Sequence, residues 1–184
     1  MRDHRNEGVR WRGVVAAVIV GVALAGCNET YAVLSDAAPR KVNYFATLTG
    51  GAEVPAVSTT ASGWATWVLE DPNTIQYEIF VAGIDSITMA HIHAAPAGQN
   101  GPVMAWFVPT EATRSPGPGS ISVPSAGGIV RQNRVSRASL AMVAPFTWDS
   151  LLTRMAAGTA YLNVHTRRHP GGEVRGQVSP GERR

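Results

Sequence analysis

Residues 161–165 read Tyr161-Leu162-Asn163-Val164-His165, and residues 90–94 read Ala90-His91-Ile92-His93-Ala94. Both alternate apolar and polar with a period of two, the pattern of a strand whose successive side chains point to opposite faces. Leu162, Val164 and Ile92 make one face apolar; Tyr161, Asn163, His165, His91 and His93 make the other polar. Glu173-Val174-Arg175-Gly176-Gln177-Val178 repeats the pattern, with Val174 and Val178 on the apolar side and Glu173, Arg175 and Gln177 opposite. Outward from these three segments the chain continues as short runs cut by Gly, Pro and Asn. The expected strands are Val42–Leu48, Gly63–Leu69, Ile75–Val81, Ala90–Ala94, Val103–Val108, Ile129–Ser136, Ala160–Thr166 and Glu173–Val178. Thr147–Ala157 is the one expected helix, with Thr147 as N-cap, Asp149 in its first turn and Gly158 just past its end. Ser115–Gly128, rich in Pro, Gly and Ser, reads as a long loop. Eight strands and one short helix predict an all-β domain, a Greek-key-like antiparallel β-sandwich or barrel.

The 184 residues fit one domain, and a hydrophobic content of 45% is enough for a core. A single cysteine excludes an intrachain disulfide and any C-x-x-C metal or redox motif. The formal charge is +3, but residues 1–26 carry four arginines against two acidic residues, so the remainder carries only +1. Lys41 is the only lysine. Nucleic acid is therefore not an expected partner, since phosphate backbones are gripped by clustered Lys and Arg.

Met1–Arg12 is basic, and Gly13–Leu24 is apolar but shorter than a membrane span of about 20 residues. It ends in Leu24-Ala25-Gly26-Cys27, which resembles the bacterial lipoprotein signal. That resemblance implies that Cys27 is lipidated and becomes the first residue of the mature chain. The expected organisation is a signal peptide over residues 1–26, a tether over 27–40, the β domain over 41–180 and a tail over 181–184. A lipid at Cys27 attaches a protein to a membrane without spanning it. The expected location is the bacterial cell envelope, facing the periplasm or the exterior.

Three neighbouring strands would bring His91, His93, His165, Glu173 and Arg175 to one outward face. His-x-His on a strand supplies two nearly parallel imidazoles, and a third from His165 makes a set suited to zinc or copper. Glu173 or water offers a fourth donor, and Asn163 or a backbone carbonyl offers orientation from behind. The alternative is a solvated sheet face on which the histidines only hydrogen-bond and Glu173 pairs with Arg175. Glu53, between Gly50-Gly51 and Pro55, either hydrogen-bonds the amides of that turn, the favoured reading, or joins the polar cluster. His169, between Arg168 and Pro170, is expected in an exposed loop. Trp64 and Trp67 fall on opposite faces of one strand, as do Trp106 and Phe107 on another, so one of each pair is expected in the core. No Gly-x-Ser-x-Gly elbow occurs. Gly98, Gly101, Gly171 and Gly172 lack the strand-to-helix context of a phosphate cradle and read as turn glycines.

Three segments together resemble the CHRD (chordin-type) domain. The first is Phe45-Ala46-Thr47-Leu48-Thr49-Gly50-Gly51-Ala52-Glu53-Val54-Pro55; the second is Ala90-His91-Ile92-His93 followed by Gly98–Val103. The third is Tyr161-x-Asn163-Val164-His165-Thr166 followed by Pro170-x-Gly172-Glu173-Val174-Arg175-Gly176-Gln177. Ala56 stands where the family usually has a second proline, and Ala94 and Ala95 where a glycine often follows. The resemblance implies a binding module of extracellular type, since in chordin such domains belong to an extracellular protein that binds growth factors; the expected partner is an unidentified protein or glycan. The histidine spacing is also similar to that of copper–zinc superoxide dismutases, an analogy of pattern and fold class only. Three functions stay open: an envelope-anchored interaction module holding copper or zinc at His91, His93 and His165; a redox metalloenzyme on the same histidines; and a purely structural envelope lipoprotein.

Overall fold

The computed structural model describes residues 44–108 and 120–181. The signal peptide, Cys27, the tether and residues 115–119 of the long loop lie outside the described residues. Ten strands and one helix follow in order: β1 (Tyr44–Thr49), β2 (Ser62–Asp71), β3 (Thr74–Ala82), β4 (Ile87–Ala94), β5 (Val103–Val108), β6 (Gly128–Ser136), β7 (Ala141–Met142), α1 (Trp148–Ala156), β8 (Ala160–Thr166), β9 (Val174–Gln177) and β10 (Ser179–Pro180). All pairings are antiparallel, in one sheet of order β6-β3-β2-β1-β9-β8-β4-β5-β7, with β10 added to β1. The two strands beyond the eight expected, β7 and β10, have two residues each. Two residues are too few to show a period.

The sheet curls on itself. Tyr77 on β3 and Phe107 on β5 are six strands apart in the order, which in a flat sheet is roughly 29 Å. Their rings lie 4.5 Å apart, edge to face. The concave side holds one core, to which β1, β2, β3, β4, β5, β6, β8, β9 and α1 all contribute. β3 shows the simplest pattern, with Ile75, Tyr77, Ile79 and Val81 buried and the residues between them half-buried. The β2–β3 turn is closed by Asn73 N–H donating to Asp71 Oδ1, the local bond that makes Asp a turn residue. Thr147 caps α1, its Oγ1 accepting from the Ser150 amide. Trp148, Leu151 and Met155 dock the helix on the core, and Gly158, at φ 65°, follows its end.

The opposite, convex face is where the structure departs from expectation. β8 is buried at all seven positions, so its polar side chains are not outward in the sense of solvated. The loops around residues 50–57, 98–102 and 167–173 fold back over this face.

Candidate metal centre

Register assembles the site. β4 and β8 pair His91 with Asn163 and His93 with Tyr161, and β8 and β9 pair Asn163 with Arg175. Between β4 and β5 the register shifts on both sides of the His91–Ile92 pair, setting His91 opposite Trp106. Each bulge adds one residue to β5, which is how Trp106 joins the polar face while Phe107 packs in the core. Both are buried, whereas one of the two was expected to be partly exposed. Trp64 and Trp67 do divide as expected: Trp67 is in the core and half-buried Trp64 stacks on Phe80 at 5.3 Å.

His91, His93 and His165 each offer one ring nitrogen, and these atoms all lie within 4.8 Å of one another. It is the only such group among the described residues. The ring centroids of His91 stand 4.6 Å from His93, 4.4 Å from His165 and 4.6 Å from Trp106. His93 Nδ1–H donates to the Gly101 carbonyl at 2.7 Å, and His165 Nδ1–H to the Pro170 carbonyl at 2.9 Å. A carbonyl only accepts, so these bonds put the proton on Nδ1 and leave Nε2 with a bare lone pair. Both Nε2 atoms, and Nδ1 of His91, are buried with no hydrogen-bond partner. Backbone carbonyls that hold the far nitrogen of an imidazole are the usual support of a metal-ligating histidine.

The rings are held neutral. Burial, and then the charges of His165 and His93, push the His91 pKa down to about 2. Burial is also the main cause at His93, lowered to about 4, and at His165, which is lowered as well. A neutral imidazole is the form that ligates.

The surrounding residues divide differently from expectation. Arg175, 2% exposed, does not pair with Glu173. Its guanidinium lies 3.6 Å over the Tyr161 ring and donates to Asn100 Oδ1 at 2.8 Å and to the Gln99 carbonyl. Tyr161 in turn stacks on His93, 4.7 Å away and parallel, and its hydroxyl accepts from Gly101 N–H. Arg175 and Tyr161 therefore clamp the loop whose carbonyl holds His93. Glu173 is not in the convergent set. Its two oxygens accept from Thr59 and Thr166 at 2.8 and 2.7 Å, and it lines a groove of about 880 Å³ with Arg168 and His169. His169 is half-buried there rather than exposed.

Glu53 corrects the favoured reading. Its side chain joins the cluster, Oε2 accepting from Asn163 Nδ2 at 3.4 Å. Burial raises its pKa to about 7, against the lowering effects of Arg175 and Asn163. Gly172, at φ 123°, roofs the pair: a Cβ there would stand 2.5 Å from Asn163 Oδ1 and 2.7 Å from Glu53 Oε1. Sequence reasoning gave no part in the site to Trp106, Tyr161, Gln99, Asn100, Thr59 or Thr166. Only Tyr161 carried a signal, its place in the alternation of β8.

The fold and site define a curled antiparallel β-domain with three histidines on its roofed outer face, His91 and His165 buried and His93 half-buried. The CHRD domain family matches residues 44–178, and the chain belongs to that family. No curated protein matches it.

Proposed function

We propose that this protein is an extracytoplasmic interaction module that holds a transition metal, copper or zinc, on His91, His93 and His165. Family membership supports the module. The observation that carries the metal is the convergence of three imidazoles, one ring nitrogen of each within 4.8 Å of the others, in rings that each keep a buried nitrogen without a partner. A buried polar atom without a partner costs about 1–3 kcal/mol, and three such atoms in one cluster ask for a common occupant. An ion about 2.0–2.1 Å from each nitrogen sets tetrahedral ligand atoms roughly 3.4 Å apart, so binding draws the rings together from separations of up to 4.8 Å. In this reading the N-terminal segment delivers the domain to the bacterial envelope, Cys27 anchors it by lipid, and a protein or glycan partner meets it there.

The test is bound metal per chain, by mass spectrometry, on the protein produced in a bacterial host with its own N-terminus. Near-stoichiometric copper or zinc is expected, lost in both His91→Ala and His165→Ala while circular dichroism shows the fold retained. No metal after incubation with either ion would overturn the reading.

A further inference from the structure

The three imidazoles leave a four-coordinate centre one donor short, and one residue of the same face has not been used. Met89 pairs directly with His165 across β4 and β8. It also precedes His91 by two residues on β4, so the two share a face. Directly opposed residues of antiparallel strands have Cβ atoms about 4.5–5.5 Å apart, within the reach of a side chain with three rotatable bonds. Met89 is half-buried and is not among the apolar side chains packed on the core.

The carboxylates of this face lie outside the convergent set. Glu173 accepts from Thr59 and Thr166. Glu53 and Asn163 face each other beneath Gly172, joined by one hydrogen bond, with Oε1 of the one and Oδ1 of the other left without a partner. No carboxylate joins the histidines, and the buried guanidinium of Arg175 adds a positive field at His93. A neutral donor set beside a fixed cation disfavours a dication relative to a monocation. A thioether is a soft ligand suited to copper(I).

We propose that the Met89 sulfur completes the centre as its fourth ligand and makes it selective for copper(I) over zinc(II). This rests on the metal reading above and adds the identity and charge of the ion. A thioether has no proton to lose, and with Nδ1–H retained on His93 and His165 the centre keeps the charge of the bare ion.

The experiment is a pair of anaerobic titrations of the whole protein, one with copper(I) against a chromophoric copper(I) chelator and one with zinc(II) against a zinc chelator. X-ray absorption is recorded on the copper(I) form. Met89→Leu is nearly volume-conserving, so the fold is expected to survive it. Expected is a sulfur scatterer on copper that disappears in Met89→Leu, with copper(I) affinity falling about 10–100-fold and zinc(II) affinity changing less than about twofold. Copper(I) bound equally well by parent and Met89→Leu, or a copper site with no sulfur scatterer, would overturn the assignment of Met89 and leave the three-histidine centre standing. Failure of the parent to bind either ion would overturn both.

Discussion

Burial of the three imidazoles ties the stability of the metal-free protein to pH. Each has a folded-state pKa below its ordinary 6.5, with His91 near 2 and His93 near 4. Below pH 6.5 the unfolded chain therefore binds more protons at these sites than the folded one, and stability falls as pH falls. Glu53 acts with the opposite sign between 4.5 and about 7, because its folded form keeps a proton that the unfolded form has released. Three groups oppose one, so the net slope favours unfolding in acid; towards pH 4 the fading Glu53 difference is offset as folded His93 takes up its own proton. Urea midpoints of the metal-free protein at pH 7, 6, 5 and 4 are expected to decline in that order. A flat or rising series would show that the histidines are not buried as described. Bound metal competes with protons for the same nitrogens, so the metal-loaded protein should hold its midpoint further into acid.

At the scale of elements, the loops over the convex face carry the site as much as the strands do. The 167–173 loop brings the Pro170 carbonyl to His165 and the Gly172 backbone onto Asn163 and Glu53. Gly172→Ala forces a side chain into positive φ and into contact with two buried polar groups. It is expected to cost about 1–3 kcal/mol and to weaken metal uptake, because the loop that orients His165 must move. Parent-like urea and metal titrations of Gly172→Ala would refute that close approach. The strands of the site were legible in the sequence because alternation is local: His91, His93, His165 and Arg175 declare their common face within β4, β8 and β9. Helix α1 was equally legible, from its cap at Thr147 and the glycine beyond it. The roof was not. Glu53 and Asn163 are 110 residues apart, and Arg175 reaches 75 residues back to Asn100. No local pattern announces a loop that folds over a polar face. The burial of Trp106 depends on two bulges that the run from Val103 to Val108 does not display.

On the scale of the whole molecule, the anchor and the sheet raise separate questions. If Cys27 carries lipid, the protein should sediment with membranes, and Cys27→Ser should move it to the soluble fraction without altering its metal content. A protein equally soluble with and without Cys27 would end the lipoprotein reading. The sheet imposes an order of events. β9 is nearly the last strand of the chain, yet it lies between β1 and β8 in the middle of the sheet. Until residues 174–177 are made, β1 and β8 are two bare edges with no ladder between them. Arg175, which pins the loop behind His93, arrives in the same step. Ribosomal synthesis runs from the N-terminus, so a chain made as far as residue 173 has all three histidines but not yet Arg175. If the histidines hold a metal as proposed, closure of the sheet and readiness for the ion are one event, and a nascent chain has no competent centre with which to capture a metal before β9 is in place.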